Sequence, residues 1–211
     1  MYSYLKNSTF NFFLKLAEKF HNSNLSSNSS SIILENFINL IRGVKSRFYY
    51  DRKNNFFYIV ENQKKIVFNS KIRGIDLYRD GISKRSELIF SSYCLEKISF
   101  SKNDIVIDCG ANYGDLYIKL SNLIEPENYI ALEPNPSDYE VLKLNVSNNS
   151  NIINKGLGNT NEILPFYISK IEADSSFIKP KYFTEIINVP VIRLDKLIQD
   201  LKIDKIKLLK I

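Results

Sequence analysis

From residue 104 onward, short apolar runs alternate with amphipathic segments. Strands are expected at 105–109, 129–133 and 151–155, each about the length of a buried strand. Helices are expected at 113–124, where Leu116, Leu120, Leu123 and Ile124 share one face, and at 138–147. The second helix opens on Ser137-Asp138-Tyr139-Glu140, a spacing in which Ser and Glu cap each other's free amides. Ile163–Ser169, Ile187–Leu194 and Lys205–Ile211 read as further strands. Strands joined by helices in this order predict an α/β fold with a mostly parallel sheet.

Upstream the pattern changes twice. Residues 9–20 place Phe10, Phe13, Leu14, Ala17 and Phe20 on one helical face, and a Ser/Asn-rich linker, His21 to Ser31, follows. Ile32 to Ile41 is apolar enough for a second helix. The two segments suit a dimerisation element, a membrane-surface helix or a lid on the main core. The lid is favoured, because neither segment has the Lys/Arg-rich polar face of a surface anchor. Residues 47–69 then read as a β-meander, with Phe48–Tyr50, Phe56–Val60 and Ile66–Phe68 separated by polar turns. Its aromatics beside basic residues could stack single-stranded nucleic acid, but an aromatic inner sheet face is the favoured reading. Ser86 to Ile98 reads as a helix leading into the strand at Ile105. Three regions result: an N-terminal helical extension over 1–45, the meander and leading helix over 46–103, and an α/β domain over 104–211.

Composition narrows the class. The chain has 211 residues, 44% hydrophobic and 25% charged, as ordinary globular proteins do. Lys and Arg outnumber Asp and Glu by 29 to 23, a net +6 that is spread along the chain and falls short of a nucleic-acid signature. The two cysteines, Cys94 and Cys109, make neither a disulfide framework nor a zinc pattern, and the single His21 excludes a His-based metal cluster or triad. Without a signal-like N-terminus or an apolar run of spanning length, a soluble cytoplasmic protein with no membrane span is expected.

The chemistry concentrates at Ile105–Asp115, a strand that breaks into a glycine turn and reopens as a helix. Gly110 and Gly114 are two of only seven glycines. Glycine admits positive φ and lets a ligand approach the main chain. The amides that follow favour an anionic or polar group. A second signal, Ala131-Leu132-Glu133-Pro134-Asn135-Pro136, sets a carboxylate at the exit of the next strand. An acid there reaches the ribose hydroxyls of a nucleoside, and the two prolines limit how far it wanders. A dinucleotide site would carry Gly-x-Gly-x-x-Gly. Here the pattern is Asp-x-Gly-x-x-x-Gly, with Ala111 and Asn112 between the glycines. Asp108 suits an amino group better than a pyrophosphate, so S-adenosylmethionine is favoured over NAD.

Ile107–Gly114, Leu132–Pro136, Val189–Asp195 and Ile206–Ile211, with Leu77-Tyr78-Arg79-Asp80-Gly81 upstream, resemble the FkbM-type methyltransferases over roughly residues 72–211. The resemblance implies a Rossmann-like class I fold and S-adenosylmethionine-dependent O-methylation of a sugar or secondary-metabolite hydroxyl. The acceptor would be a small molecule or a glycan, and a homo-oligomer is left open. Carried over by position, the cofactor-binding set is Asp108, Gly110, Ala111, Asn112, Gly114, Asp115, Glu133, Pro134, Asn135, Gly156 and Leu157. Asp108, Gly110, Asn112 and Gly114 would line the methionine end, Glu133 the ribose and Asn135 the adenine side. Gly156-Leu157-Gly158 matches a loop over the adenine. Asp174, in a polar loop, is the one weak candidate for a catalytic base. Members of that family continue past the last strand with Asp-x-Glu-Gly, whereas this sequence stops at Ile211. The expectation is therefore a methyltransferase incomplete at its C-terminus. The alternative is a non-catalytic cofactor-binding fragment or a subunit of a split enzyme.

Overall fold

The computed structural model describes residues 28–169 and 175–211. The helix expected at 9–20 and the candidate base Asp174 lie outside them. The chain divides into two compact units at the Ile82–Ser83 bond.

The first unit opens with helix α1 (Asn28–Arg42) and continues into an antiparallel meander of β1 (Arg47–Asp51), β2 (Phe56–Glu61) and β3 (Lys64–Phe68). Two turns are written locally. Asp51 Oδ1 accepts from the amides of Lys53 and Asn54 at 3.0 and 3.2 Å. Between β2 and β3, Asn62 and Gln63 both have positive φ, as a tight hairpin requires. The Asn36 side chain accepts from Phe48 N and donates to Phe48 O, which ties α1 to the first strand. Phe48, Phe57 and Phe68 are buried, and the Phe68 ring contacts those of both Phe48 and Phe57, so the inner face of the meander is aromatic. Helix α2 (Lys71–Tyr78) follows, and its Gly74 lies directly against the Phe68 ring, where a Cβ would clash.

The second unit holds the α/β core. Helix α3 (Ile82–Ser92), which begins at the unit boundary, is shorter and earlier than the expected 86–98 helix. Cys94 takes a left-handed φ of 54° and breaks it before a 3-10 turn at Leu95–Lys97. The central sheet contains β4 (Val106–Cys109), β5 (Tyr129–Leu132), β6 (Asn151–Ile153) and β10 (Leu208–Lys210) in the order β10-β4-β5-β6, every pair parallel. The alternation along β4 builds two cores. Val106 packs with Leu116, Leu120, Ile124, Tyr129, Ala131 and Leu142, while Ile107 packs with Ile130, Leu132, Ile192, Leu197 and Ile203. A second sheet places β9 (Glu185–Arg193) between β7 (Gly156–Gly158), which runs parallel to it, and β8 (Ile163–Ile168), which runs antiparallel.

Three further helices differ from expectation. Regular α-helix in the 113–124 segment is confined to α4 (Tyr117–Leu120), with tight turns on either side. Positive φ at Asn112 and Gly114 delays the helix, although Leu116, Leu120 and Ile124 are buried as their spacing predicts. Helix α5 (Pro136–Asn145) starts two residues early because Asn135 caps it, accepting from Ser137 N at 3.1 Å, and Pro136 supplies a φ already suited to the first turn. The Ser137–Glu140 box is thus replaced by an upstream cap. Helix α6 (Leu194–Leu201) was not foreseen. Leu194, Leu197, Ile198 and Leu201 nevertheless carry helical spacing, and all four belong to or pack against the second core.

Candidate functional site

The candidate site is built at the carboxyl ends of β4 and β5. Past Cys109 the chain bends back on β5, and the amides of Gly110 and Ala111 both donate to Leu132 O, at 2.8 and 3.0 Å. Gly110 has φ +70°, and a Cβ built on it would meet nothing within 4 Å. Its outward side is open space of the kind that admits a ligand. Gly114, at φ +87°, does a different job. A Cβ there would stand 3.2 Å from both Leu142 and Val146, so this glycine lets the turn pack against α5. Asn145 reinforces that contact by donating to Tyr113 O at 2.8 Å.

This division predicts two phenotypes. Gly114→Ala should lose about 2–4 kcal/mol of stability, combining the cost of a left-handed non-glycine residue with overpacking. Gly110→Ala should show only the first of these, about 1–2 kcal/mol. Urea unfolding of both variants, fitted with a common slope, checks the ranking.

Glu133 joins the two halves of the site. It is 5% exposed, and its Oε2 accepts from Asn112 N at 2.7 Å while Oε1 accepts from Asn135 N at 2.9 Å. The carboxylate is therefore held by the glycine turn on one side and the strand exit on the other. Asn154, which sequence reasoning missed, donates to the carbonyls of Glu133 and Pro134 at 2.8 and 3.2 Å. Asn112, at φ +50°, keeps a buried Oδ1 that has no hydrogen-bond partner.

Asp108 departs from the expectation that it meets a ligand's amino group. It is 1% exposed, its Oδ2 accepts from Tyr129 Oη at 2.6 Å, and its Oδ1 is 3.0 Å from Lys210 Nζ. The cation it suits comes from the chain itself. The β10–β4 register sets Lys210 beside Asp108. Burial pulls the Lys210 ammonium down, but the Asp108 carboxylate outweighs it and leaves the pKa above its usual value. Burial, then the same carboxylate, push the Tyr129 phenol well above its ordinary range. The sequence did carry a signal for Lys210: it is a lone charge in the apolar run Leu208-Leu209-Lys210-Ile211.

Burial, and then Asp108, also push the Cys109 thiol up to about 12, against the opposing pull of Lys210. At pH 8 Cys109 is accordingly protonated and inert, whereas Cys94 is exposed. Iodoacetamide should modify one thiol per native chain, at Cys94, and two in denaturant, counted by intact mass.

The remaining expected residues fall away from this constellation. Asp115 is buried, and its Oδ2 accepts from Nε and Nη2 of Arg85 at 2.8 and 2.6 Å. Ala111 is buried in the first core. Gly156-Leu157-Gly158 is not a loop but β7, paired with Val191–Arg193. The Phe177 ring covers Gly156 where a Cβ would sit, and Leu157 packs against the second core. Among the described residues, no group of three or more His, Cys, Asp or Glu side chains could hold a metal ion, and no helix is long and apolar enough to cross a membrane.

What remains is an open glycine turn, an amide-anchored carboxylate and an amide oxygen without a hydrogen-bond partner, groups whose chemistry suits polar partners. Residues 108–211, which span this turn, the Glu133 exit and β10, match the family model of the methyltransferase FkbM domain. That match supports a methyltransferase. No curated protein and no solved structure matches the chain.

Proposed function

We propose that this chain, whose residues 108–211 match the FkbM methyltransferase domain, is an S-adenosylmethionine-dependent O-methyltransferase with a Rossmann-like class I sheet. The acceptor in this reading is a sugar or secondary-metabolite hydroxyl, presented as a small molecule or within a glycan. The observation that carries the proposal is the 2.7 Å bond from Asn112 N to Glu133 Oε2. It joins the glycine turn to the carboxylate at the next strand's exit, the two features a nucleoside cofactor spans.

The residues present fit this cofactor in three respects. Open space beside Gly110 admits the methionine end. The Asn112 Oδ1 that lacks a partner suits an ammonium donor. The Glu133 carboxylate, oriented by two amides, suits ribose hydroxyls, since a carboxylate can accept about four hydrogen bonds in all. Asp108 does not join the contact set, because it is closed over by Lys210 and Tyr129. Nor do Gly156, Leu157 and Asp115, whose partners are internal.

When bound, S-adenosylmethionine supplies an electrophilic methyl group on a sulfonium. The chain's own contribution is orientation. Glu133 and the turn fix where the nucleoside lies, and positioning of the two reactants is the larger part of such catalysis. Cys109 is excluded as a base or nucleophile by its raised pKa. Titration calorimetry of the 211-residue chain with S-adenosylhomocysteine tests the proposal: saturable one-site binding, with NADH failing to compete, is the expected result. Binding of NADH in place of S-adenosylhomocysteine, or of neither, overturns it.

A further inference from the structure

We infer that Lys210 is a positioning residue for the cofactor turn, acting through Asp108 and the turn's own carbonyls. The inference rests on the proposed cofactor site. Lys210 Nζ lies 3.0 Å from Asp108 Oδ1 and donates to the carbonyl oxygens of Cys109 and Gly110 at 2.9 Å each. Three oxygens from three consecutive residues, Asp108, Cys109 and Gly110, converge on one ammonium. Those residues are the last of β4 and the first of the glycine turn. Fixing both carbonyls fixes the peptide planes on either side of Gly110, the residue that borders open space. The direction in which the following amides point depends on those planes.

The same cage could be read as the place of a ligand's ammonium, with Lys210 as a temporary occupant. Burial argues against that. Asp108 is 1% exposed and its other oxygen is taken by Tyr129, so a ligand reaches it only by dismantling the strand end. The Lys210 side chain is itself only 13% exposed. Its position is set by the β10–β4 register, in which Leu208, Leu209 and Lys210 pair with Val106, Ile107 and Asp108. The ammonium is thus part of the fold. By neutralising Asp108 beneath the turn, it also prevents a buried carboxylate from facing the carbonyls it would repel.

Lys210 is not the catalytic base. A protonated ammonium that donates to two carbonyls and a carboxylate has no lone pair to offer, and Asp108 keeps it protonated above its usual range. Its effect is on affinity.

The test uses the full chain in a Cys94→Ser background, with S-adenosylhomocysteine as the probe and a thermal melt of every sample. Lys210→Met should weaken binding about tenfold or more, the scale of losing hydrogen bonds to a charged group. Lys210→Cys should weaken it similarly, and aminoethylation of the new thiol with 2-bromoethylamine, which rebuilds an ammonium at nearly the same reach, should restore it. Peptide mass mapping confirms that the added group sits at position 210 and that the buried Cys109 is unmodified, and only samples that meet both conditions are scored. If Lys210→Met loses its cooperative melt, Lys210→Gln takes its place, since its amide can still donate to a carbonyl while lacking the charge; weakened binding is again expected. Unchanged or tighter binding in a folded Met or Gln variant overturns the inference, tighter binding by showing that the lysine occupies the ligand's place. Failure of aminoethylation to restore affinity in a folded sample overturns it as well. If the wild-type chain does not bind S-adenosylhomocysteine, the cofactor assignment fails first, and the role of Lys210 falls with it.

Discussion

Glu133→Ala is expected to weaken S-adenosylhomocysteine binding by about a hundredfold or more, because two hydroxyl contacts to a charged acceptor, each about 1.5–3 kcal/mol, would be lost together. The variant also removes the acceptor of the Asn112 and Asn135 amides. Stability should therefore fall by about 1–3 kcal/mol for each donor left buried without a partner. Glu133→Gln separates the two effects. Its size is unchanged, but its NH2 group must face one of the two amide donors. It should retain more of the stability than alanine does and still lose most of the affinity. Calorimetry and urea unfolding on the same preparations give the comparison. Wild-type affinity in Glu133→Ala would remove this carboxylate from the binding site.

Arg85→Met is expected to lower the stability of the second unit by about 3–5 kcal/mol, the range for removing one partner of a buried ion pair. Both guanidinium contacts fall on one oxygen of Asp115, and the two side chains are 16% and 8% exposed. The cost arises because the Asp115 carboxylate stays inside and is deprived of this cation. Removing both charges together, as in Arg85→Met with Asp115→Asn, should recover much of the loss, since the buried charge is then gone. Denaturant midpoints for the two single variants and the double variant close the cycle. Additive losses would show that the pair is not coupled.

Strands β4 and β5 were legible because each is buried on both faces and reads as an apolar run between turn residues. The meander was legible because its turns are encoded locally, by Asp51 and by Asn62. Helix α6 was not foreseen because Arg193 and Asp195 flank its first residue and the apolar run before it reads as one strand through Leu194. The cap of α5 was misplaced because two cap signals overlap, and Pro136 decides in favour of Asn135.

The site was legible in part. The glycine turn and the strand-end carboxylate are short-range motifs, and their chemistry follows from residue type and order. What a side chain faces across the sheet is not written locally. Tyr129 meets Asp108 and Arg85 meets Asp115 only because the strands and helices come together. For the same reason Asp108 read as a ligand contact, although its cation comes from another strand. The loop expected at Gly156 became a strand because its partner, Val191, and its cover, Phe177, lie far along the chain.

Lys210 reaches the Cys109 and Gly110 carbonyls across 101 and 100 residues of sequence. Closing so long a stretch of chain costs entropy before any contact rewards it, and contacts of this kind slow folding. The glycine turn is therefore expected to take its final shape late, after β10 has docked. In a refolding experiment the capacity to bind ligand should return after the helical signal has recovered.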